Sequence, residues 1–294
     1  MKVVSVVVPV YRNASTLEAL YFQITNVFNK LFGIELELYF VDDGSDDTSL
    51  KLIQKISKQD RRVCYLSFDR NYGQVAAIIA GLRHCNGDAA IVMSADLQDP
   101  PEMILEMIRS WEGGSVITIC HRKSREDRFV DKFFSAVFYG TMKLIYPLIP
   151  KGGFDFFLLD RSALLMFNAI DRGGRFIQGD VVKLKLPIVF LPYERMSRKA
   201  GKSQWTFKRK LLYAFDAITY SRSVLITITT TGSVLLFCGL VLLVGEINPS
   251  NLFLLFMLPG FMLSVFGFFG KLYRSLSDQM KPGQLYTIAS KSIR

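Results

Sequence analysis

Two apolar runs toward the C-terminal end of the chain, residues 224–244 and 252–270, contain no charged side chain. Each is close to the ~20 residues that a helix needs to cross the hydrocarbon core of a bilayer. The short stretch between them holds Glu246 and Pro249 but no Lys or Arg. Lys208, Arg209, Lys210 and Arg222 precede the pair, and Lys271, Arg274 and Lys281 follow it. Two such runs in tandem predict a transmembrane hairpin over 223–273. The basic flanks place both of its ends, and the bulk of the chain, on the cytoplasmic side. Thr227, Thr229, Thr230, Thr231 and Gly232 suit close packing of the two helices. Residues 206–222 read as an amphipathic juxtamembrane helix and 274–294 as a cytoplasmic tail, which leaves 1–205 for a domain outside the membrane.

That first part alternates in character. Residues 3–8 are a continuous β-branched run, residues 37–41, 63–68 and 89–93 are further short strand-like runs, and residues 16–30, 48–57 and 74–84 carry helical spacing between them. Strands alternating with helices predict βαβ units and a mostly parallel sheet. The opening run is short and meets Pro9-Val10-Tyr11, so it reads as a buried first strand rather than a secretory signal. Residues 129–149 are either a core helix or a helix lying on a membrane.

In such sheets ligands bind at the carboxyl ends of the strands. Polar clusters follow the strands there: Tyr11-Arg12-Asn13, Asp42-Asp43, Arg70-Asn71 and Asp96-Gln98-Asp99. They predict a cleft. Neither GxGxxG after the first strand nor GxxxxGK[ST] anywhere is present, so the usual dinucleotide and P-loop readings fall away. The net charge of +10 suits nucleic acid, an anionic membrane or phosphorylated substrates. The basic residues gather beside the apolar runs and no nucleic-acid motif accompanies them, so nucleic acid is not an expected partner. The four cysteines form no CxxC pair, and His84 and His121 lack metal-ligand spacing, which disfavours zinc and a disulfide framework and favours a reducing compartment.

The stretch 91–102, IVMSADLQDPPE, carries the sharpest chemistry. A buried strand runs into Asp96 and Gln98, whose oxygens suit Mg2+ or Mn2+ held partly by substrate phosphates. Asp99-Pro100-Pro101-Glu102 reads as a helix start, with Asp99 near the N-cap.

Six stretches in order, VVVPVYRN (6–13), VDDGSDDT (41–48), RNYGQVAAIIAGL (70–82), GDAAIVMSADLQDPPE (87–102), FDFFLLDR (154–161) and RKAGKSQW (198–205), resemble the family 2 glycosyltransferases of GT-A fold. Within them the likeness is to the polyprenyl-phosphate glycosyltransferases, the group of dolichol-phosphate mannose synthase and bacterial polyprenyl-phosphate glucosyltransferases. The resemblance implies an α/β GT-A domain followed by the two-helix membrane hairpin. It implies an inverting transfer of one sugar from a nucleotide-sugar, a UDP-sugar before a GDP-sugar, to polyprenyl phosphate such as undecaprenyl phosphate at a bacterial inner membrane. Pro9, Tyr11, Asp42, Asp43, Gly73, Gln74 and Asp96 would bind the nucleotide, and Asp96 and Gln98 the Mg2+ or Mn2+. Asp155 would orient the acceptor or act as base. Arg122, Arg125, Arg128, Arg198, Lys202 and Ser203 would hold diphosphate or acceptor phosphate. Relatives in the group associate through their membrane helices, so a homo-oligomer is expected. Transfer to a hydroxyl of a lipid-linked saccharide, and nucleotide-sugar binding without turnover, are the alternatives. Two departures from the group's pattern stand out: Ser94 where an acid is common, and Phe157 where an Arg is common.

Overall fold

The computed structural model describes residues 1–123, 146–150, 152–170, 175–196, 222–244, 252–279 and 286–293. Its centre is an eight-stranded sheet in the order β7-β5-β6-β4-β1-β2-β3-β8. Strands β1 (Lys2–Val10), β2 (Ile34–Asp42), β3 (Val63–Phe68) and β4 (Ala89–Val92) are connected by helices α1 (Ala14–Phe28), α2 (Ser49–Gln59) and α3 (Gln74–His84) and pair in parallel. The β-branched runs are buried on both faces, as a parallel sheet covered by helices requires. α3 lies so close to the sheet that a Cβ on Gly81 would sit 2.3 Å from Val7 Cγ1. Small side chains on this helix are what permit that approach.

Pro9 stands near the end of a central strand, where a missing N–H would normally cost a ladder bond. β4 ends opposite Val7, the register position before Pro9 on that side. Met93 N donates to Val7 O, and beyond it the β4 side of β1 opens. The proline thus takes no bond from the sheet.

The other half of the sheet departs from the alternating plan. After α4 (Met103–Glu112) come β5 (Ile117–Arg122) and β6 (Phe156–Asp160), and β6 inserts antiparallel between β4 and β5. α5 (Arg161–Asn168) and α6 (Ile177–Lys183) follow, and β7 (Ile188–Tyr193) closes this side parallel to β5. Asp99 does not start α4 as expected. The N-cap position is Glu102, the prolines make the preceding turn through Met103 N→Pro100 O and Ile104 N→Pro101 O, and Asp99 is buried elsewhere.

Helices α7 (Arg222–Val244) and α8 (Leu252–Gln279) pack along one another. Gly267 meets Thr229, Gly232 meets Ser264 and Gly260, and Gly239 meets Met257, so the helices are antiparallel and their backbones nearly touch. Among the described residues one helix is long and apolar enough to cross a membrane, with its window at Phe256–Tyr273; the apolar stretch described in its neighbour, Leu225–Val241, is shorter. Residues 274–294, expected as a tail, do more than trail. α8 continues to Gln279, and β8 (Ile288–Ser292) joins the sheet edge antiparallel to β3. Tyr286 stacks on Phe68 with centroids 4.9 Å apart, and Tyr72 Oη and Thr287 Oγ1 lie 3.2 Å apart.

Candidate functional site

The carboxyl ends of β1, β2 and β4 bring the sequence clusters to one edge. Asp42 ends β2 and is 1% exposed. Its carboxylate accepts from Ser45 N at 3.3 Å and Ser67 Oγ at 3.0 Å. Burial pushes this carboxyl upward, while Ser45 and Ser67 pull the other way. Asp43 accepts from Tyr72 N at 2.7 Å and Gly73 N at 2.9 Å, which fixes the turn into α3. Burial raises it to about 6 against those two bonds. Gly73 has φ +95, a conformation that suits a residue without a side chain, and Gln74 opens α3 directly after it. Gly44 is tighter: at φ +66 a Cβ would lie 2.4 Å from the carbonyl carbon of Arg70. Tyr11 is half-buried, and Arg12 lies over its ring at 5.1 Å and clasps Asp46 with two bonds of 2.6 Å. Arg12 has φ 56, an uncommon conformation for a residue with a side chain.

The β4 end is arranged around Asp96. Leu97, buried and at φ 59, turns the chain back on itself. A left-handed non-glycine residue costs about 1–2 kcal/mol and persists where surrounding contacts impose it. The turn lets Gln98 N reach Asp96 Oδ1 at 3.2 Å, and Ser94 Oγ donates to the same oxygen at 2.9 Å. Ser94 thereby supports the Asp96 carboxylate, where an acid would repel it. Asp96 Oδ2 faces Arg195 Nη2 at 3.6 Å.

Asp99 lies beneath, bonded to the Tyr193 hydroxyl at 2.7 Å; burial pushes its carboxyl up, and Tyr193 and Arg195 oppose that. Arg122, at the end of β5, meets Asp155 at 3.9 Å. Burial works against the Arg122 charge, but Tyr193, Asp155 and Asp99 outweigh it and hold the group protonated. Asp155 is half exposed and stands just before β6, so the antiparallel insertion of β6 is what carries it beside Arg122. Phe157 points into the core, packed edge-on to Phe154 at 5.7 Å. The aromatic ring therefore belongs to the apolar core.

Asp96 and Gln98 fit a Mg2+ or Mn2+ ion by the chemistry of their donors: one carboxylate that already meets a positive group, and one amide oxygen two residues on. Among the described residues no group of three or more His, Cys, Asp or Glu could hold a metal. Such an ion would take its remaining ligands from water and substrate phosphate. Arg125, Arg128, Arg198, Lys202 and Ser203 lie outside the described residues. Tyr193 and Arg195, which the sequence reading passed over, close the β4 end of the site. Their only sequence signal was a place just before the basic loop.

A model of the family described as glycosyl transferase family 2 matches residues 5–165. The chain belongs to this family. It is 32% identical over 216 residues to the putative glycosyltransferase CsbB of Bacillus subtilis, covering 73% of this chain and 65% of the relative, slightly under two thirds of its length. It is 30% identical over 218 residues to the bactoprenol glucosyl transferase of Shigella phage SfV, covering 74% of this chain and 71% of that one. Among solved structures, glucosyl-3-phosphoglycerate synthase from Mycobacterium tuberculosis, crystallised with Mn2+, UDP-glucose and phosphoglyceric acid, superposes with a TM-score of 0.56 at 15% identity over 76% of this chain and 79% of that one. At that identity the likeness shows the fold, an α/β arrangement of GT-A type.

Proposed function

We propose that the protein is an inverting glycosyltransferase that moves one sugar from a nucleotide-sugar, a UDP-sugar first, to polyprenyl phosphate at the cytoplasmic face of a membrane, with Mg2+ or Mn2+ as cofactor. The observation that carries this reading is the pairing of Asp96 with Arg195 and of Asp155 with Arg122, all four within electrostatic reach of Asp99, in a family 2 fold whose relatives include a bactoprenol glucosyl transferase. Pro9, Tyr11, Asp42 and Gln74 line the side where the nucleoside would lie, and Asp43 holds that side in shape through Tyr72 and Gly73. A bound divalent ion supplies Lewis-acid neutralisation of the departing diphosphate. Arg122 offers a fixed positive charge to a phosphate, and Asp155 orients it. An acceptor phosphate is already anionic at neutral pH, so Asp155 serves to align the acceptor more than to take a proton from it.

Two membrane crossings are supported by connectivity. β7 and β8 belong to the same sheet, so the chain between them must return to the side it left. If α8 crosses, a second segment must cross as well, and the antiparallel α7 is the segment packed against it. The outer faces of the pair expose Phe237, Leu240, Phe261, Met262, Phe268 and Phe269, a patch that water disfavours and lipid accepts. The flanking basic residues set the cytoplasmic orientation. Association of several copies through these faces completes the reading.

The test is transfer of radiolabel from a panel of UDP- and GDP-sugars to undecaprenyl phosphate by the full chain in detergent with Mn2+ or Mg2+. The expected result is a metal-dependent lipid product, labile to mild acid and absent with Asp96→Ala. Transfer to a hydroxyl acceptor alone, or to none, refutes the reading.

A further inference from the structure

The segment after β7 is joined to the Asp96 turn by bonds that do not involve the Arg195 side chain. Tyr193 Oη donates to Asp99 Oδ1 at 2.7 Å, Met196 N donates to Gln98 O at 3.0 Å, and Gln98 Nε2 donates to Met196 O at 3.2 Å. They fix the point from which Arg195 leaves the backbone. The guanidinium therefore reaches Asp96 because the fold delivers it there. Asp96 Oδ1 is taken by Ser94 Oγ and Gln98 N, and Oδ2 is the oxygen that Arg195 meets at 3.6 Å. The two side chains are 14% and 29% exposed, so solvent screens the pair only in part.

A divalent cation on Oδ2 and a guanidinium beside it repel each other strongly at such separations. We propose that Arg195 is an exchangeable counter-charge: it neutralises Asp96 in the free protein and yields that place to the cation, moving toward the diphosphate that arrives with it. The consequence is an order of binding. The cation enters together with the nucleotide and hardly binds before it, because the arriving diphosphate replaces Asp96 as an anionic partner of the displaced Arg195. Ser94 acts in the same direction, since a hydroxyl at that place offers the lone ion no second carboxylate. This inference rests on the reading of Asp96 and Gln98 as the ion's ligands.

The experiment titrates Mn2+ into the full chain in detergent, following free Mn2+ by electron paramagnetic resonance, first without nucleotide and then with UDP. Arg195→Gln is expected to tighten Mn2+ binding without nucleotide by about thirtyfold, the Boltzmann factor for removing one unit charge ~4 Å from a doubly charged ion in a water-like dielectric. Arg195→Lys keeps the charge and is expected to stay within about twofold of wild type by the same reckoning. UDP should then strengthen Mn2+ binding more in wild type than in Arg195→Gln. Unchanged or weaker Mn2+ binding by Arg195→Gln without nucleotide overturns the proposal. Undiminished Mn2+ binding by Asp96→Ala in the presence of UDP overturns the metal-site reading itself, a different result on a different variant.

Discussion

Asp43→Asn separates two forces that act on the same buried carboxylate. Burial raises Asp43 to about 6, from an ordinary value of 3.8, although Tyr72 N and Gly73 N both donate to it. A carboxyl raised in the folded state holds its proton longer there than in the unfolded chain. Its contribution is therefore most favourable below about pH 4, is lost as pH rises to about 6, and is constant above that. At 1.36 kcal/mol per pH unit the difference amounts to about 3 kcal/mol. Asn keeps the shape but cannot ionise, so the variant lacks this dependence. Thermal unfolding of both proteins in detergent, from pH 4 to pH 7.5, is the assay. Relative to wild type, Asp43→Asn should gain about 3 kcal/mol across that range, a relative movement of roughly 5–10 °C in Tm for a domain of this size. The neighbouring Asp42 carboxyl, itself raised by burial, is present in both proteins and adds to the raising of Asp43 through its charge. Parallel curves, or a gap that moves against the variant as pH rises, would refute the reasoning. Parallel curves would mean that the two backbone donors cancel the effect of burial, and a gap moving against the variant would mean that they outweigh it and hold Asp43 ionised at low pH.

Other perturbations have equally definite outcomes. Gly44→Ala places a methyl 2.4 Å from the Arg70 backbone at φ +66, and should lower stability by more than about 2 kcal/mol in thermal unfolding and weaken UDP binding with it. Gly232→Leu drives α7 from α8 at Ser264 and Gly260, so cysteine cross-linking between the two helices should fall sharply while the sheet domain still binds UDP. Asp180→Ala leaves Arg175, whose side chain is fully buried and ion-paired with it, without that partner, and should destabilise the domain by about 3–5 kcal/mol in the same unfolding assay. Tyr286→Ala removes the stack on Phe68 and should cost about 1 kcal/mol beyond the lost area, detectable as faster proteolysis near residue 285.

The parallel half of the sheet was legible because its code is local. β-branched runs bounded by helical spacing locate β1 to β4, and β3 and α3 fall where the spacing puts them. β6 and β8 were not legible as members of this sheet, because antiparallel insertion between β4 and β5, and pairing at the far edge, depend on backbone bonds between distant segments. The same split runs through the site. Asp42, Asp96 and Gln98 are readable as oxygen donors at strand ends. That Asp43 spends both oxygens on the next turn, that Asp99 is held by Tyr193, and that Arg195 covers Asp96 all come from contacts across the sheet. Ser94 looked like a loss in sequence; the hydrogen bond to Asp96 gives it a supporting place.

β8 also sets a timetable for biogenesis. Its neighbour Thr287 lies 215 residues downstream of Tyr72, the residue it meets. During translation β3 is finished long before its outer partner exists, and its outer edge waits unpaired while α7 and α8 are made. An open strand edge invites pairing with other chains. The nascent domain is thus most exposed to pairing at β3 in the interval when α7 and α8 are being made, and β3 is covered only after both are complete and the chain has come back.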